Sequence, residues 1–290
     1  MNLNLFWLHQ VKAALKNKES ISLIEKVRLI FDLIRSMQKK HKSAMTAPIV
    51  GRDIKQNEKL TVIILNHKRP ENVSLIAQLI LQSGFVGKLI ISNNSQDYPI
   101  ENYIKIKDPR LTLINQEKPS GVGIRFVLAQ QFPSAYYICI DDDIFLHPTQ
   151  LQWIYSNLRQ FPEHTHGIYG AKITSDKDPK NAWPFIFQTN KTITIDILNG
   201  LFSFTQEHLD EYFRLCSLLG ISDHKSIMNG EDIILSFSGI KKPLIHHIGP
   251  IWECTSAASP GIALHATRPN FYAERWRIFS KLKQIKALKH

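Results

Sequence analysis

The chain has 290 residues, 43% of them hydrophobic, and a formal charge of +11. That length suits one large α/β core or two small ones, and no window reaches the roughly 18 uncharged apolar residues that a transmembrane helix needs. Cys139, Cys216 and Cys254 are too widely spaced for a disulfide framework or a paired zinc site. The N-terminus lacks the charged start and small-residue cleavage site of a secretory signal, so a cytoplasmic location with reduced thiols is expected. The positive charge is concentrated at the ends. Residues 1–60 hold 12 Lys/Arg against 5 Asp/Glu and residues 268–290 hold 7 against 1, which leaves 17 against 19 between them. Without an aromatic-interleaved basic stripe or a reader motif, no nucleic-acid partner is expected. An anionic membrane face and an anionic glycan or lipid carrier fit such charge equally well.

The first forty residues read as two helices. In the second, Leu23, Ile24, Val27, Ile30, Phe31, Ile34 and Met37 recur at helical spacing, with Ser22 and Glu25 as a capping box. This helix is expected to pack on the main domain. In the alternative, a surface anchor peripheral at the membrane, Phe6, Trp7 and Leu8 of the first helix enter the lipid interface. Residues 41–58 read as a linker, so 1–59 form a helical extension and 60–290 the main domain.

From Leu60 the chain repeats strand, turn and helix. Thr61–Leu65 is a continuous apolar strand, followed by the polar turn Asn66–Glu71 and a helix to about Ser83. Lys88–Ile91 is a strand ending in Ser92, Asn93 and Asn94; Leu111–Ile114 is a third; a helix starting near Gly121 leads to the strand Tyr136–Ile140. Continuous apolar strands alternating with helices predict a parallel sheet covered on both faces, and residues 60–150 read as a nucleotide-binding half. No G-x-G-x-x-G or G-x-x-x-x-G-K-[ST] phosphate loop is present. After Thr149 come an amphipathic helix, strand-like pieces over 167–173, 192–197 and 200–204, and a helix from Gln206 to about Leu219. This less regular half, 151–290, is expected to carry the acceptor side of the site.

The strand at 136–140 ends in Asp141-Asp142-Asp143. Carboxylates at the C-terminal end of a buried strand lie where open α/β sheets bind ligands. Such a pair holds a hard divalent cation, which offsets the charge of a diphosphate. One Asp there is an ordinary turn residue; three adjacent like charges are tolerated most readily where a cation offsets them. Asp143 and Asp141 are the metal candidates, with Asp142 either facing a ligand or simply solvated. Further on, Glu231-Asp232 opens a short helix, where acids also favour the helix dipole.

Leu60–Asn72, Asn93-Asn94, the aspartate triplet and the run Asn229-Gly-Glu-Asp-Ile-Ile-Leu-Ser-Phe237 together resemble the exostosin-type glycosyltransferases, related to heparan sulfate assembly. The match covers most of residues 60–285, and no single motif decides it. The resemblance implies the GT-A fold, a Rossmann-like, mostly parallel α/β sheet with helices on both faces. It also implies a UDP-sugar donor, Mn2+ or Mg2+, and transfer to a glycan or glycolipid acceptor with retention of configuration; the sugar is expected to be an N-acetylhexosamine. Asp143 then ligates the metal as the last residue of a D-x-D element, while Asp141 and Asp142 face the ribose and the metal's water shell. Asn66, Arg69, Asn93, Asn94 and Arg125 contact the nucleotide sugar. Asp232 with Glu231 sits beside the anomeric carbon, and Arg275, in a C-terminal helix over Arg268–Leu282, approaches the diphosphate. This chain has Gly230 where the family run has Cys, and Ser120 where the family tends to have Asn.

Several residues carry competing readings. Read without the resemblance, Arg275 and Arg125 are surface cations on helices. His265, in a stretch of small residues from Cys254 to Pro269, is a candidate metal ligand, and His246 and His247 are weaker ones. Trp183 and Trp252 either stack on sugar rings or serve packing. Two other functions remain open on sequence: a sugar-phosphate nucleotidyltransferase, which calls for a glycine-rich loop that Asn66–Glu71 lacks, and a non-catalytic carbohydrate-binding module.

Overall fold

The computed structural model describes residues 22–28, 30–32, 34–35, 55, 58–97, 99–174, 184–186, 189–249, 251–253 and 268–287. His265, Trp183, Cys254 and the first predicted helix lie outside the described residues, as does the side chain of Trp252.

Four strands form the parallel half of the central sheet: β1 (Leu60–Asn66), β2 (Val86–Asn93), β3 (Leu111–Asn115) and β4 (Tyr136–Asp141). Two short strands, β5 (Ile144–Phe145) and β6 (His166–Gly167), precede β7 (Tyr169–Ala171), β8 (Phe185–Ile186), β9 (Ile193–Thr194) and β10 (Ile197–Asn199). The set closes with β11 (Leu201–Thr205), β12 (Leu244–Ile245) and β13 (Trp252–Glu253). The order across the main sheet is β3-β2-β1-β4-β11-β6-β12-β9, with β10-β7-β8 and β13-β5 as small satellites. β1, β2, β3 and β4 run parallel, and β11 enters antiparallel beside β4.

Two helical layers follow from the period-2 alternation of these strands. Val62, Ile64, Leu89, Ile91, Ile138 and Ile140 turn to one face, where α1 (Pro70–Leu81) and α3 (Pro148–Gln160) cover them. Ile63, Ile90, Tyr137 and Cys139 turn to the other. That face is covered by α2 (Ile124–Gln131), α4 (Gln206–Leu218), α5 (Glu231–Ser236) and α6 (Phe271–Ala287). Pro70 starts α1 where its missing N–H costs nothing. The His147 side chain accepts from the Thr149 N–H while Gln150 accepts from the His147 N–H, which caps α3.

The α/β class, the parallel half and its polar strand ends on one edge agree with the sequence reading. Two local expectations are refined. The helix expected near Gly121 begins at Ile124. The Gly121 and Gly123 N–H groups instead donate to the Lys225 and Ile227 carbonyls at 2.7 and 3.1 Å, and a Cβ on Gly121 would stand 2.1 Å from the Ile227 oxygen. The segment is a strap bound by backbone contact. The second N-terminal helix does form at the described residues 23–28, 30–32 and 34–35, with the Ser22–Glu25 capping box. Its first turns are exposed, 78% at Leu23 and 61% at Phe31, while Ile30 and Ile34 are partly buried. Among the described residues no helix is long and apolar enough to cross a membrane.

Gly230 precedes α5 with φ +86, a left-handed conformation, and a Cβ there would lie 2.5 Å from the Ile278 methyl of α6. Glycine is thereby required twice, by backbone and by close approach. Replacing it by Ala should cost about 1–3 kcal/mol, measured by urea unfolding. Combining the change with Ile278→Ala should recover the packing part only.

Candidate functional site

The carboxyl ends of β1, β2 and β4 set the floor of the site. Register pairs Asn66 with Asn93 and Leu65 with Asp141, so Asn66, Asn93 and Asp141 finish at the same level. The Asn66 amide donates to Asn93 Oδ1 at 2.6 Å, and the Asn93 amide donates to Asn115 Oδ1 at 2.9 Å. Both Asn66 and Asn93 are buried. They tie the carboxyl ends of the strands together. Asn94 grips the Ser120 backbone on both sides, amide to carbonyl and N–H to Oδ1, each at 2.6 Å. It therefore anchors the strap 118–123 to β2.

β4 ends at Asp141, and the turn formed by the next two residues splits the triplet by exposure. Side-chain exposure is 36% for Asp141, 5% for Asp142 and 18% for Asp143. Asp142 turns inward. It accepts from the Arg69 guanidinium at 2.6 Å and from the His67 N–H at 2.6 Å, while the Asn72 amide donates to its carbonyl at 2.9 Å. Burial pushes the Asp142 carboxyl up to about 6, although Arg69 and the His67 amide favour its charged form. The alternative of a solvated Asp142 is thus corrected: it is a buried anchor for the turn between β1 and α1. Lys68 in that turn has φ 63, outside the range most side chains adopt. Asp141 and Asp143 remain as the open pair, with Arg69 also 3.2 Å from Asp143.

Arg125 links the triplet to the second acidic group. It is buried on α2, donates to Asp141 at 3.0 Å and stacks over the Phe202 ring with its guanidinium carbon 5.0 Å from the centroid. Burial alone would weaken its charge, and the neighbouring Asp141 and Glu231 more than offset that, raising its pKa. Its Nη1 is buried without an acceptor among the described residues, which marks a place for a ligand oxygen. The surface-cation reading of Arg125 is therefore corrected.

Gly230 turns the chain so that Glu231 and Asp232 enter α5 buried. Arg275 of α6 meets Asp232 in a two-pronged ion pair of 2.7 and 2.9 Å, and its Nη1 also reaches Asn229 Oδ1 at 3.4 Å. Both partners of this pair are buried, which overturns the reading of Arg275 as a solvated helix cation. The run Asn229–Asp232 and the C-terminal helix, distant in sequence, thus form one unit. Burial pushes Glu231 up to about 7, with the Asp232 charge adding to the effect. Two supports were missed on sequence: Asn72, whose position just inside a Pro-started helix was its signal, and Asn229, legible only as the head of the N-G-E-D run.

His246 does not join this site. It is buried against His166, Nε2 to Nδ1 2.8 Å with the rings stacked, and Thr192 contacts its other nitrogen. His247 contacts the Thr189 carbonyl. Cys139 and Cys216 are free, buried thiols.

The donor set fits a hard cation bound together with a phosphorylated ligand. Among the described residues no three His, Cys, Asp or Glu side chains form a ready cage. Small hard cations are commonly held by one or two carboxylates plus substrate phosphate oxygens, and the open pair Asp141 and Asp143 provides such ligands. Five carboxyl groups, at 141–143, 231 and 232, here face the guanidiniums of Arg69, Arg125 and Arg275. The surplus of acid is what a divalent cation offsets.

The inward and outward aspartates should separate in stability. Asp142→Ala leaves Arg69 in a buried site without its main partner and should cost about 3–5 kcal/mol. Asp143→Ala, at a more open ion pair, should cost at most about 1 kcal/mol. Chemical unfolding of both variants without added metal checks this.

With the geometry described, the chain can be set beside known proteins. A model of the Glycosyl transferase family 64 domain matches residues 60–262. A comparison with curated proteins gives no match. Among solved structures, GalNAc-T7 with UDP, GalNAc and Mn2+ aligns with TM-score 0.54 and 12% identity, over 78% of this chain and 50% of that one. At that identity the likeness shows the fold alone, that of the GT-A glycosyltransferases, and this chain spans about half the length of that protein. A CMP:2-keto-3-deoxy-manno-octonic acid synthetase complexed with CTP aligns with TM-score 0.36, 11% identity, over 54% and 78% of the two chains. That value is too low to carry an argument. The GT-A architecture and the match over residues 60–262 together place this chain in glycosyl transferase family 64.

Proposed function

We propose that the protein is an exostosin-type glycosyltransferase that moves a sugar, an N-acetylhexosamine by preference, from a UDP donor to a glycan or glycolipid acceptor with retention of configuration. The observation that carries this reading is the division of the triplet. Asp142 is taken up as a buried anchor, while Asp141 and Asp143, each ion-paired to an arginine but more accessible, stand at the carboxyl edge of the sheet. The family match and the fold add to it.

A divalent cation, Mn2+ or Mg2+, held by Asp143 with support from Asp141, would offset charge on the departing diphosphate. The remaining work falls to the chain. Arg125, with its buried Nη1 lacking an acceptor among the described residues, takes an oxygen of the nucleotide or its phosphates. Arg69, locked to Asp142, sets the height of the turn against which the diphosphate rests. When the bond between the anomeric carbon and the diphosphate oxygen breaks, its electrons leave with the oxygen and positive charge develops at the carbon. The carboxylate of Asp232, oriented by Arg275, faces that carbon and stabilises the charge. Glu231, whose carboxyl titrates near neutrality, takes up the acceptor hydroxyl's proton as the new bond forms.

UDP release from a panel of UDP-sugars, with candidate acceptors, tests the reading. Turnover should need divalent metal, stop with chelator and fall at least about a hundredfold in Asp143→Ala. Metal-independent turnover by that variant would reject the assignment. Glycan binding without turnover of any donor would favour a binding module instead.

Glu231 gives a pH prediction. Its folded carboxyl titrates at about 7, above its usual value, so the stability tied to its protonated form is present at low pH and lost as pH rises through about 7. Glu231→Gln, which never ionises, should therefore gain stability relative to the parent between about pH 4.5 and 7 and hold that gain above. Metal-free unfolding at several pH values measures it; a constant difference would mean that Glu231 is not perturbed by burial.

A further inference from the structure

A cavity of about 510 Å³ lies at the C-terminal end of α5, away from the acidic site at its N-terminal end. Five lysines line it: Lys172, Lys241, Lys242, Lys283 and Lys286. One of these lysines, Lys241, is paired with Glu163 at 2.9 Å, and the carboxylate among the walls, Asp196, is already engaged inside the fold. It takes the Lys242 ammonium at 2.8 Å on one oxygen and the Ile173 N–H at 2.8 Å on the other. Lys286 is held at the rim by the Gly239 carbonyl at 2.8 Å, and the Lys283 ammonium lies 5.9 Å from the centre of the Phe279 ring. Ile173, Phe237, Pro243 and Phe279 supply apolar walls between the cations. Lysines gathered in a concave site raise the local potential and draw anions to it.

At the mouth stands Ile240, 88% exposed, followed directly by Lys241 and Lys242. An exposed isoleucine alone is ordinary. Beside a basic pocket with apolar walls it has the composition of a membrane-interface contact, in which lysines meet phosphates and the apolar tip enters the acyl boundary. A second observation points to a lipid interface. Helical residues 23–28 and 30–32 expose Leu23, Ile24, Val27 and Phe31 together with Arg28, beside a partly buried Lys26. A soluble anion would use the lysines and leave both apolar features without purpose.

We infer that the pocket between α5, α6 and the 239–243 loop is a headgroup site through which the protein docks on an anionic phospholipid surface. The inference goes beyond the proposed transfer reaction, and its test reads no turnover, so either can fail alone.

The test is cosedimentation of the full chain with vesicles of phosphatidylcholine, or of equal parts phosphatidylcholine and phosphatidylglycerol. The intact protein should partition onto the mixed vesicles and not the neutral ones. Lys172→Glu combined with Lys283→Glu should lower partitioning at least about tenfold at unchanged melting temperature, and Ile240→Asp should lower it as well. Equal binding to both vesicle types would overturn the inference, as would full partitioning by the charge-reversed chain. It also fails if Ile24→Asp with Phe31→Asp abolishes binding while the pocket changes do nothing, since the terminal helix is then the sole anchor. Displacement from vesicles by an equal concentration of free glycerol phosphate would overturn it too, because the pocket would then be a small-anion site.

Discussion

The site depends on one constraint: the inward carboxylate of Asp142 must be matched by Arg69 and the His67 amide inside the protein. A buried carboxylate without partners would neutralise or unfold the turn. Matched, it fixes the height of the β1–α1 turn and holds the turn after β4 in a course that leaves its two neighbours more exposed than itself. The two more accessible acids are thus set by the closed one, and each keeps an arginine partner, Asp141 with Arg125 and Asp143 with Arg69.

The same logic is repeated in the second half. Asp232 is presented by a six-residue helix too short to be stable by itself. It is held by the fork of Arg275 from the last helix, by Gly230 allowing close approach to Ile278, and by Ser236 donating back to the Asp232 carbonyl at 2.6 Å. Arg125 stands between the two acidic groups, bonded to one and close enough to the other to share its field. Three arginines on three separate helical or turn elements therefore hold five acids in a small space, and the balance left over is negative.

Much of this was legible in the residues. The continuous apolar strands, the shared polar edge and the triplet's place at it follow from periodicity and from the positions of Asn66, Asn93 and Asp141. What did not show was direction. A string of three aspartates does not reveal which one turns inward until the pairing of β4 is known. Nor could the turn Asn66–Glu71 reveal that Asn66 lies beneath the site while Arg69 reaches up from it. The pairing of Arg275 with Asp232 spans 43 positions and depends on the packing of α6 against α5; the resemblance named both residues but not their pairing. Just before α2, Gly121 and Gly123 bind a remote backbone segment that no local pattern announces. His265 falls outside the described residues, and its candidate role stands where the sequence left it.

The central claim is that the outward pair, Asp141 and Asp143, grips a cation that a nucleoside diphosphate completes. Anomalous diffraction from crystals soaked with UDP and MnCl2 tests it most directly. The account predicts a manganese peak at coordination distance from Asp143 and from diphosphate oxygens, with Asp142 still bonded to Arg69. Bound UDP with no metal peak at Asp143, or a peak drawn to Asp142 with Arg69 displaced, would contradict it.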